Sequence, residues 1–88
     1  MSDDAQLLEF PCTITLKVIG NDEDGFSDWV VATVAQHAAG IAEGSVTTRP
    51  SRSGRYLSVS VTMSADSRGQ LEAVYRVLSA DDRVSFVL

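Results

Sequence analysis

The sequence predicts an α+β fold with the element order βαββαβ. Two segments alternate apolar and polar residues without a break, two others carry apolar residues at helical spacing, and turn residues separate the elements. Connection rules convert this order into a four-stranded antiparallel sheet with both helices on one face. The first and third strands are then central and the others form the edges, which is the ferredoxin-like arrangement.

The first strand is predicted in the run CTITLKVIG, which follows Phe10-Pro11 and is expected to end at Gly20. Its period of two indicates one buried face and one solvated face. The residues predicted to face the core are Ile14, Leu16 and Val18, and those predicted to face solvent are Thr13, Thr15 and Lys17.

The first helix is predicted over residues 24–39, where apolar residues recur at spacings of three and four. Acidic residues precede it, at the end where the helix dipole favours negative charge, and Gly40 is expected to cap the other end. His37 in the last turn suits the carbonyl end of the helix, which gives it a structural role. The apolar face consists of Phe26, Trp29, Val30, Val34 and Ala38.

A short second strand is predicted at residues 43–50, at an edge of the sheet, because Pro50 cannot donate a ladder hydrogen bond. Ser51 to Gly54 form a hairpin turn into the third strand, RYLSVSVTMSA. The predicted core residues of this strand are Leu57, Val59, Val61 and Met63, and its outer residues are Tyr56, Ser58, Ser60 and Thr62. This hydroxyl-rich outer face suits either solvent or a second subunit.

The second helix is expected to be capped by Asp66 and weakened by about 0.5–1 kcal/mol by Gly69 in its first turn. Its predicted apolar positions are Leu71, Val74, Tyr75 and Leu78. The last strand is RVSFVL, in which alternation predicts that Val84, Phe86 and Leu88 face inward.

The length of 88 residues suffices for one domain, predicted at residues 10–88 after a flexible arm at residues 1–9 whose Leu7 and Leu8 dock onto the body. The net charge of −5 disfavours nucleic acid and anionic membranes as partners. The start MSDDAQLLEF lacks the basic region of a secretory signal, and no apolar run reaches the roughly 18 residues of a membrane helix. A cytoplasmic location is expected.

Few side chains suit catalysis. The single cysteine, Cys12, the single histidine, His37, and the single lysine, Lys17, fall at separate places in the predicted topology. Catalysis needs convergent groups, so we expect no enzymatic activity and no cofactor.

The acidic turn NDEDG resembles a calcium loop when Gly25 is set at the sharp-turn position. Asp22 and Asp24 then occupy ligand positions, but Gly20 and Val31 stand at the first and twelfth, where neither side chain binds calcium. The interpretation is a solvated acid cluster that caps the helix, with no metal.

A corner of the predicted sheet is the candidate binding site, because three of the seven basic residues gather around one hairpin. Guanidinium forks and backbone N–H groups of a loop bind carboxylate or phosphate. The alternative is an ordinary exposed turn, since arginine, serine and glycine are common there. The candidate ligand-binding residues are Arg49, Ser51, Arg52, Ser53, Gly54, Arg55, Tyr56 and Ser58.

RNA binding is an alternative function, because RNA-recognition domains of this topology stack bases on aromatic residues of the central strands. Tyr56 lies near such a position, but Ser58 and Ser60 follow it, so nucleic acid is disfavoured as a partner. A protein–protein interaction domain without a small ligand is the other alternative. A homodimer through edge strands is a further hypothesis.

Several short motifs in order resemble the YbeD-like family of uncharacterised bacterial proteins, over Leu7 to Leu88. They are Leu8-Glu9-Phe10-Pro11, Lys17-Val18-Ile19-Gly20, Pro50-Ser51, Ser53-Gly54, Tyr56, Ser58-Val59 and Val87-Leu88. The resemblance implies a fold similar to the ACT regulatory domains that bind small molecules, and a regulatory protein that binds lipoic acid. It brings no catalytic residues. The chain departs from the family pattern at Arg68-Gly69 and in the acidic segment between Gly20 and Phe26.

Covalent attachment of lipoate requires an exposed lysine at a hairpin tip, whereas Lys17 is predicted within a central strand. The expectation is therefore noncovalent binding of lipoate or a similar small anion. The residues available for it are those of the arginine corner together with Tyr56.

Overall fold

A computed structural model describes residues 9–38, 41 and 44–88 of the chain. The strands are β1 (Cys12–Asn21), β2 (Val46–Pro50), β3 (Tyr56–Ala65) and β4 (Val84–Val87), and the helices are α1 (Phe26–His37) and α2 (Arg68–Ser79). The sheet has the order β2-β3-β1-β4 with antiparallel neighbours, which confirms the predicted topology. Neither described helix is long and apolar enough to cross a membrane. Residues 1–8 of the predicted arm, with Leu7 and Leu8, and the predicted cap Gly40 lie outside the described residues.

The core lies between the two helices and one face of the sheet. It confirms the inward positions predicted for β3, because Val59 and Val61 are completely buried and Leu57 is 9% exposed. The other buried apolar residues are Leu16 and Val18 of β1, Phe26, Val30 and Val34 of α1, Val74 and Leu78 of α2, and Met63 and Ala65 of β3. Among the described residues, no helix packs on the opposite face of the sheet.

The inward orientation predicted for Phe86 and Leu88 is wrong. Phe86 is 59% exposed and Leu88 is 62% exposed. The pairing of β1 with β4 shifts between Ile19 and Gly20, because Ile19 pairs with Phe86 while Gly20 pairs with Val84. Ser85 is the extra residue of this bulge, so the alternation of β4 reverses after Val84. Val84 and Val87 pack against the core instead, and Phe86 lies on the open face.

Gly20 does not end the first strand, which continues to Asn21. A Cβ atom at Gly20 would collide with the carbonyl oxygen of Arg83 and with the ring of Phe26. The strand therefore uses glycine for close approach between backbones at the bulge, and not as a terminator.

The acidic segment before α1 is exposed, but it does not cap the helix through a side chain. The N-cap position is Gly25, whose φ of 66° lies in the left-handed region, and no side-chain hydrogen bond caps it. Asp28 supplies the acidic charge of the first turn. The helix runs over Phe26–His37, which is shorter than the predicted range.

The cap of α2 is Ser67 and not Asp66. The hydroxyl of Ser67 accepts a hydrogen bond from the N–H of Gln70 at 3.1 Å, while the Oε1 atom of Gln70 accepts one from the N–H of Asp66. The amide group of Gln70 also donates to the carbonyl oxygen of His37. One side chain thus closes the start of α2 and connects it to the end of α1, so the helix begins at Arg68 despite Gly69.

Arg83 fixes the turn between α2 and β4. Its guanidinium forms a forked ion pair with Asp81, with Nε–Oδ1 at 3.0 Å and Nη2–Oδ2 at 3.2 Å, and donates from Nη1 to the carbonyl oxygen of Asp24. The guanidinium also lies 4.8 Å from the ring centroid of Trp29 and 5.7 Å from that of Phe26. These contacts connect the loop before α1 to the start of β4.

Candidate functional site

A groove of about 590 Å³ crosses the open face of the sheet, opposite the helices. Its floor consists of outward-facing residues from all four strands and the beginning of the hairpin turn. The lining residues are Lys17, Ile19, Arg49, Pro50, Ser51, Tyr56, Ser58, Ser85 and Phe86.

The strand register arranges the floor of the groove in rows that run across the sheet. Arg49 pairs with Ser58, Ser58 pairs with Ile19, and Ile19 pairs with Phe86, so one row contains a residue from each strand. Paired residues share a face of the sheet, which places these four side chains in sequence from the β2 edge to the β4 edge.

The neighbouring row contains the second cation of the groove. Thr47 and Lys17 both pair with Ser60, and Lys17 exchanges backbone hydrogen bonds of 3.1 and 2.8 Å with Leu88. Beyond these rows the open face is covered by hydroxyl groups, two of which, on Thr15 and Thr62, are hydrogen-bonded to each other at 2.9 Å. The open face is therefore polar at one end and combines positive charge with apolar surface at the other.

The positive charges of the groove have no acidic partner among the residues that the structure describes. Neither Lys17 nor Arg49 forms an ion pair there, and the nine lining residues include no carboxylate. None of the four strands contains an aspartate or a glutamate. The described acidic residues lie in the helices and loops, so this face carries positive charge in a protein whose net charge is −5.

The hairpin turn supplies part of the predicted site. Arg49, Ser51, Tyr56 and Ser58 line the groove, whereas the other four candidate residues do not. These four are Arg52, Ser53, Gly54 and Arg55, which are exposed in the turn between β2 and β3.

Internal hydrogen bonds hold this turn. The N–H groups of Ser51 and Gly54 donate to the carbonyl oxygens of Tyr56 and Ser51, and those of Arg55 and Tyr56 donate to the hydroxyls of Ser53 and Ser51. Gly54 permits the turn because its φ is 79°. The sequence predicted that N–H groups of the loop are available to bind an anion, but these four N–H groups already donate hydrogen bonds within the turn.

Sequence reasoning missed Lys17, Ile19, Pro50, Ser85 and Phe86 as lining residues. One of them could have been found. Lys17 was predicted on the outer face of a central strand, and the predicted strand order brings that face beside Ser58. Phe86 could not have been predicted as a lining residue, because its orientation depends on the bulge at Ser85.

The other reactive side chains lie away from the groove lining. His37 is in the last turn of α1, where its Nδ1 atom is 3.0 Å from the carbonyl oxygen of Thr33, and Cys12 begins β1. Within residues 9–38, 41 and 44–88, no group of three or more histidine, cysteine or acidic residues is arranged to hold a metal ion.

Comparison with known sequences identifies relatives across the whole chain. Residues 5–88 match the model of a family described as "Protein of unknown function (DUF493)". A "UPF0250 protein" of Chromobacterium violaceum is 40% identical over 89 residues, which cover 100% of both chains. A second, from Azotobacter vinelandii, is 41% identical over 85 residues that cover 96% of this chain and 92% of the relative. The resemblance to uncharacterised bacterial proteins is confirmed.

Comparison with solved structures finds the same fold in an ACT domain. The ACT domain from GTP pyrophosphokinase of Chlorobium tepidum superposes with a TM-score of 0.70, covering 86% of this chain and 94% of that domain. The sequence identity is 10%, so this likeness establishes the ACT-like fold and says nothing about function.

Proposed function

The chain belongs to the DUF493 family, and we propose that it is a non-catalytic regulatory module that binds a small anionic molecule in the groove on the open face of its sheet. The ACT-like fold is compatible with such a role. The observation that carries the proposal is the pair of cations, Lys17 and Arg49, in a groove whose lining contains no carboxylate.

Anion binding by this protein depends on where its positive charge lies. A negatively charged protein repels anions at long range, so an anion site requires local positive charge that no neighbouring acid neutralises. Lys17 and Arg49 meet this condition within the described residues. Both residues belong to strands whose register is fixed by the buried opposite face. The distance between their backbone positions is therefore set before a ligand binds.

Lipoate is a suitable first probe, because it is a small carboxylate and the family resemblance names it. We expect titration of isotopically labelled protein with lipoate to shift backbone amide resonances of the residues around the groove. Arg49→Ala should weaken binding by roughly ten-fold, the contribution of a charge-assisted hydrogen bond.

Arg52→Ala and Arg55→Ala are matched controls, since they remove the same charge from the same hairpin outside the groove lining. Each should change the affinity by less than about two-fold, because exposed charges at this distance are screened by solvent and salt. If the two controls weaken lipoate as much as Arg49→Ala does, the turn and not the groove is the binding site. If no concentration of lipoate perturbs the protein, the proposal fails for this anion.

A further inference from the structure

The row Arg49–Ser58–Ile19–Phe86 has a direction across the sheet. A guanidinium and a hydroxyl occupy its β2 side, and an aliphatic and an aromatic side chain occupy its β4 side. Adjacent strands are about 4.8 Å apart, so three spacings separate the ends of the row by roughly 14 Å. The row therefore has a polar end and an apolar end at a distance that suits a molecule with an acyl chain of medium length.

The apolar end is built by residues that the core does not use. Phe86 is 59% exposed, although a phenylalanine in a strand ordinarily gains from burial. The bulge at Ser85 turns this ring away from the core and onto the face where Ile19 and Tyr56 lie. Covering the ring and the aliphatic side chain of Ile19 with a ligand would remove apolar surface from water.

The polar end discriminates by charge. The planar fork of Arg49 matches the two oxygens of a carboxylate, and the hydroxyl of Ser58 is the next group along the row. A zwitterionic amino acid would bring an ammonium group to the same place, where Arg49 is positive and the lining offers no carboxylate. Like charges placed together in this way oppose binding.

We infer that the groove takes a monocarboxylate with an unbranched apolar chain, lying across the strands with its carboxylate at Arg49 and its chain end at Phe86, and that it rejects zwitterionic amino acids. This inference rests on the proposed function and specifies the ligand class and its orientation. It is independent of the turn residues Arg52 and Arg55.

The test compares four probes by calorimetric titration of the full chain: octanoate, butanoate, 2-aminooctanoate and octanol. We expect octanoate to bind about ten-fold more tightly than butanoate, the effect of half-burying four methylene groups. It should also bind at least about ten-fold more tightly than 2-aminooctanoate, whose chain is the same but whose headgroup is a zwitterion.

Two variants establish the orientation. Phe86→Ala should abolish most of the difference between octanoate and butanoate while the preference over 2-aminooctanoate persists. Arg49→Ala should abolish the difference between octanoate and octanol. Both side chains lie on the surface, and thermal melting of each variant verifies that the fold is retained.

The outcomes separate the two proposals. Equal binding of octanoate and 2-aminooctanoate, or an unchanged dependence on chain length in Phe86→Ala, would overturn this inference while carboxylate binding in the groove stands. Absence of binding by every carboxylate would overturn both.

Discussion

Two arginines of this protein, Arg83 and Arg49, have opposite surroundings. Arg83 is held by Asp81 and by the carbonyl oxygen of Asp24, and it stacks on Trp29 beside the fully buried Phe26. Arg49 lies in an open groove with Phe86, and no described residue forms an ion pair with it.

The difference between Arg83 and Arg49 is the difference between a structural residue and one that is available to a ligand. The pairing with Asp81 raises the pKa of Arg83, and the same hydrogen bonds lower the pKa of Asp81 below the usual 3.8. An ion pair of this kind stabilises the conformation of a loop. Uncompensated charge beside exposed apolar surface is the feature that marks a binding site.

The largest expected effect comes from comparing two phenylalanines, Phe26 beside Arg83 and Phe86 in the groove. Phe26→Ala removes a ring that is 1% exposed and should reduce the free energy of unfolding by about 3–5 kcal/mol. Phe86→Ala removes an exposed ring and should change it by less than about 0.5 kcal/mol. Chemical denaturation measures both. A large loss in Phe86→Ala would mean that the ring supports the fold and would weaken the contrast.

A smaller loss of stability is expected from substitution of Gly20, which lies against Arg83 and Phe26 and follows Ile19 of the groove. Gly20→Ala forces a methyl group against the Arg83 carbonyl and the Phe26 ring, and overpacking of this kind costs about 1–3 kcal/mol. Gly69→Ala is the matched control. The added methyl group there meets only the Ser67 hydroxyl, at 3.9 Å, and should stabilise α2 by up to about 1 kcal/mol.

Gly20→Ala also tests whether the bulge determines the groove. If the register at Ser85 changes to relieve the contact, Phe86 loses its outward position and the variant should lose chain-length selectivity among carboxylates. If Gly20→Ala lowers stability but leaves the chain-length selectivity unchanged, the contacts of Gly20 do not determine the groove.

The smallest effect concerns acid. Because the folded pKa of Asp81 is lowered by the hydrogen bonds from Arg83, the stabilisation is fully present above the unfolded value of 3.8. It is lost as the pH falls through the folded pKa. Asp81→Asn should therefore melt below the wild type at neutral pH, and the two melting temperatures should converge as the pH falls below 3.8 and through the folded pKa of Asp81.

Asp82→Asn is the control for this pH series, since Asp82 is exposed and adjacent in sequence. Its melting curve should follow that of the wild type at every pH. A gap between wild type and Asp81→Asn that stays constant into acid would contradict the role of the ion pair.

The sequence predicted the strand order and the buried faces of β1 and β3 because ten-residue strands with one buried face have a single consistent register. It predicted β4 as the last strand but not the outward orientation of Phe86 and Leu88, because β4 has four residues and contains the bulge. An inserted residue reverses the alternation without changing any residue type, so the sequence of β4 alone gives no sign of it.

The cap of α2 was missed for a local reason. Asp66 and Ser67 are both good N-cap residues, and the choice between them depends on which one has extended backbone geometry at the helix start. Gln70, three residues after Ser67, is the signal that favours serine. Five of the nine lining residues of the groove were missed, because the lining comes from four strands distant in sequence that only the register brings together.

The inserted residue at Ser85 also changes how the sheet ends. A bulge bends and twists an edge strand, which makes it a poor template for strand addition by another polypeptide. The opposite edge, β2, carries Arg49 and ends at Pro50, two features with the same effect. In the part of the chain that the structure describes, one face of the sheet is therefore uncovered, while neither edge strand favours the lateral strand addition that leads to fibrils.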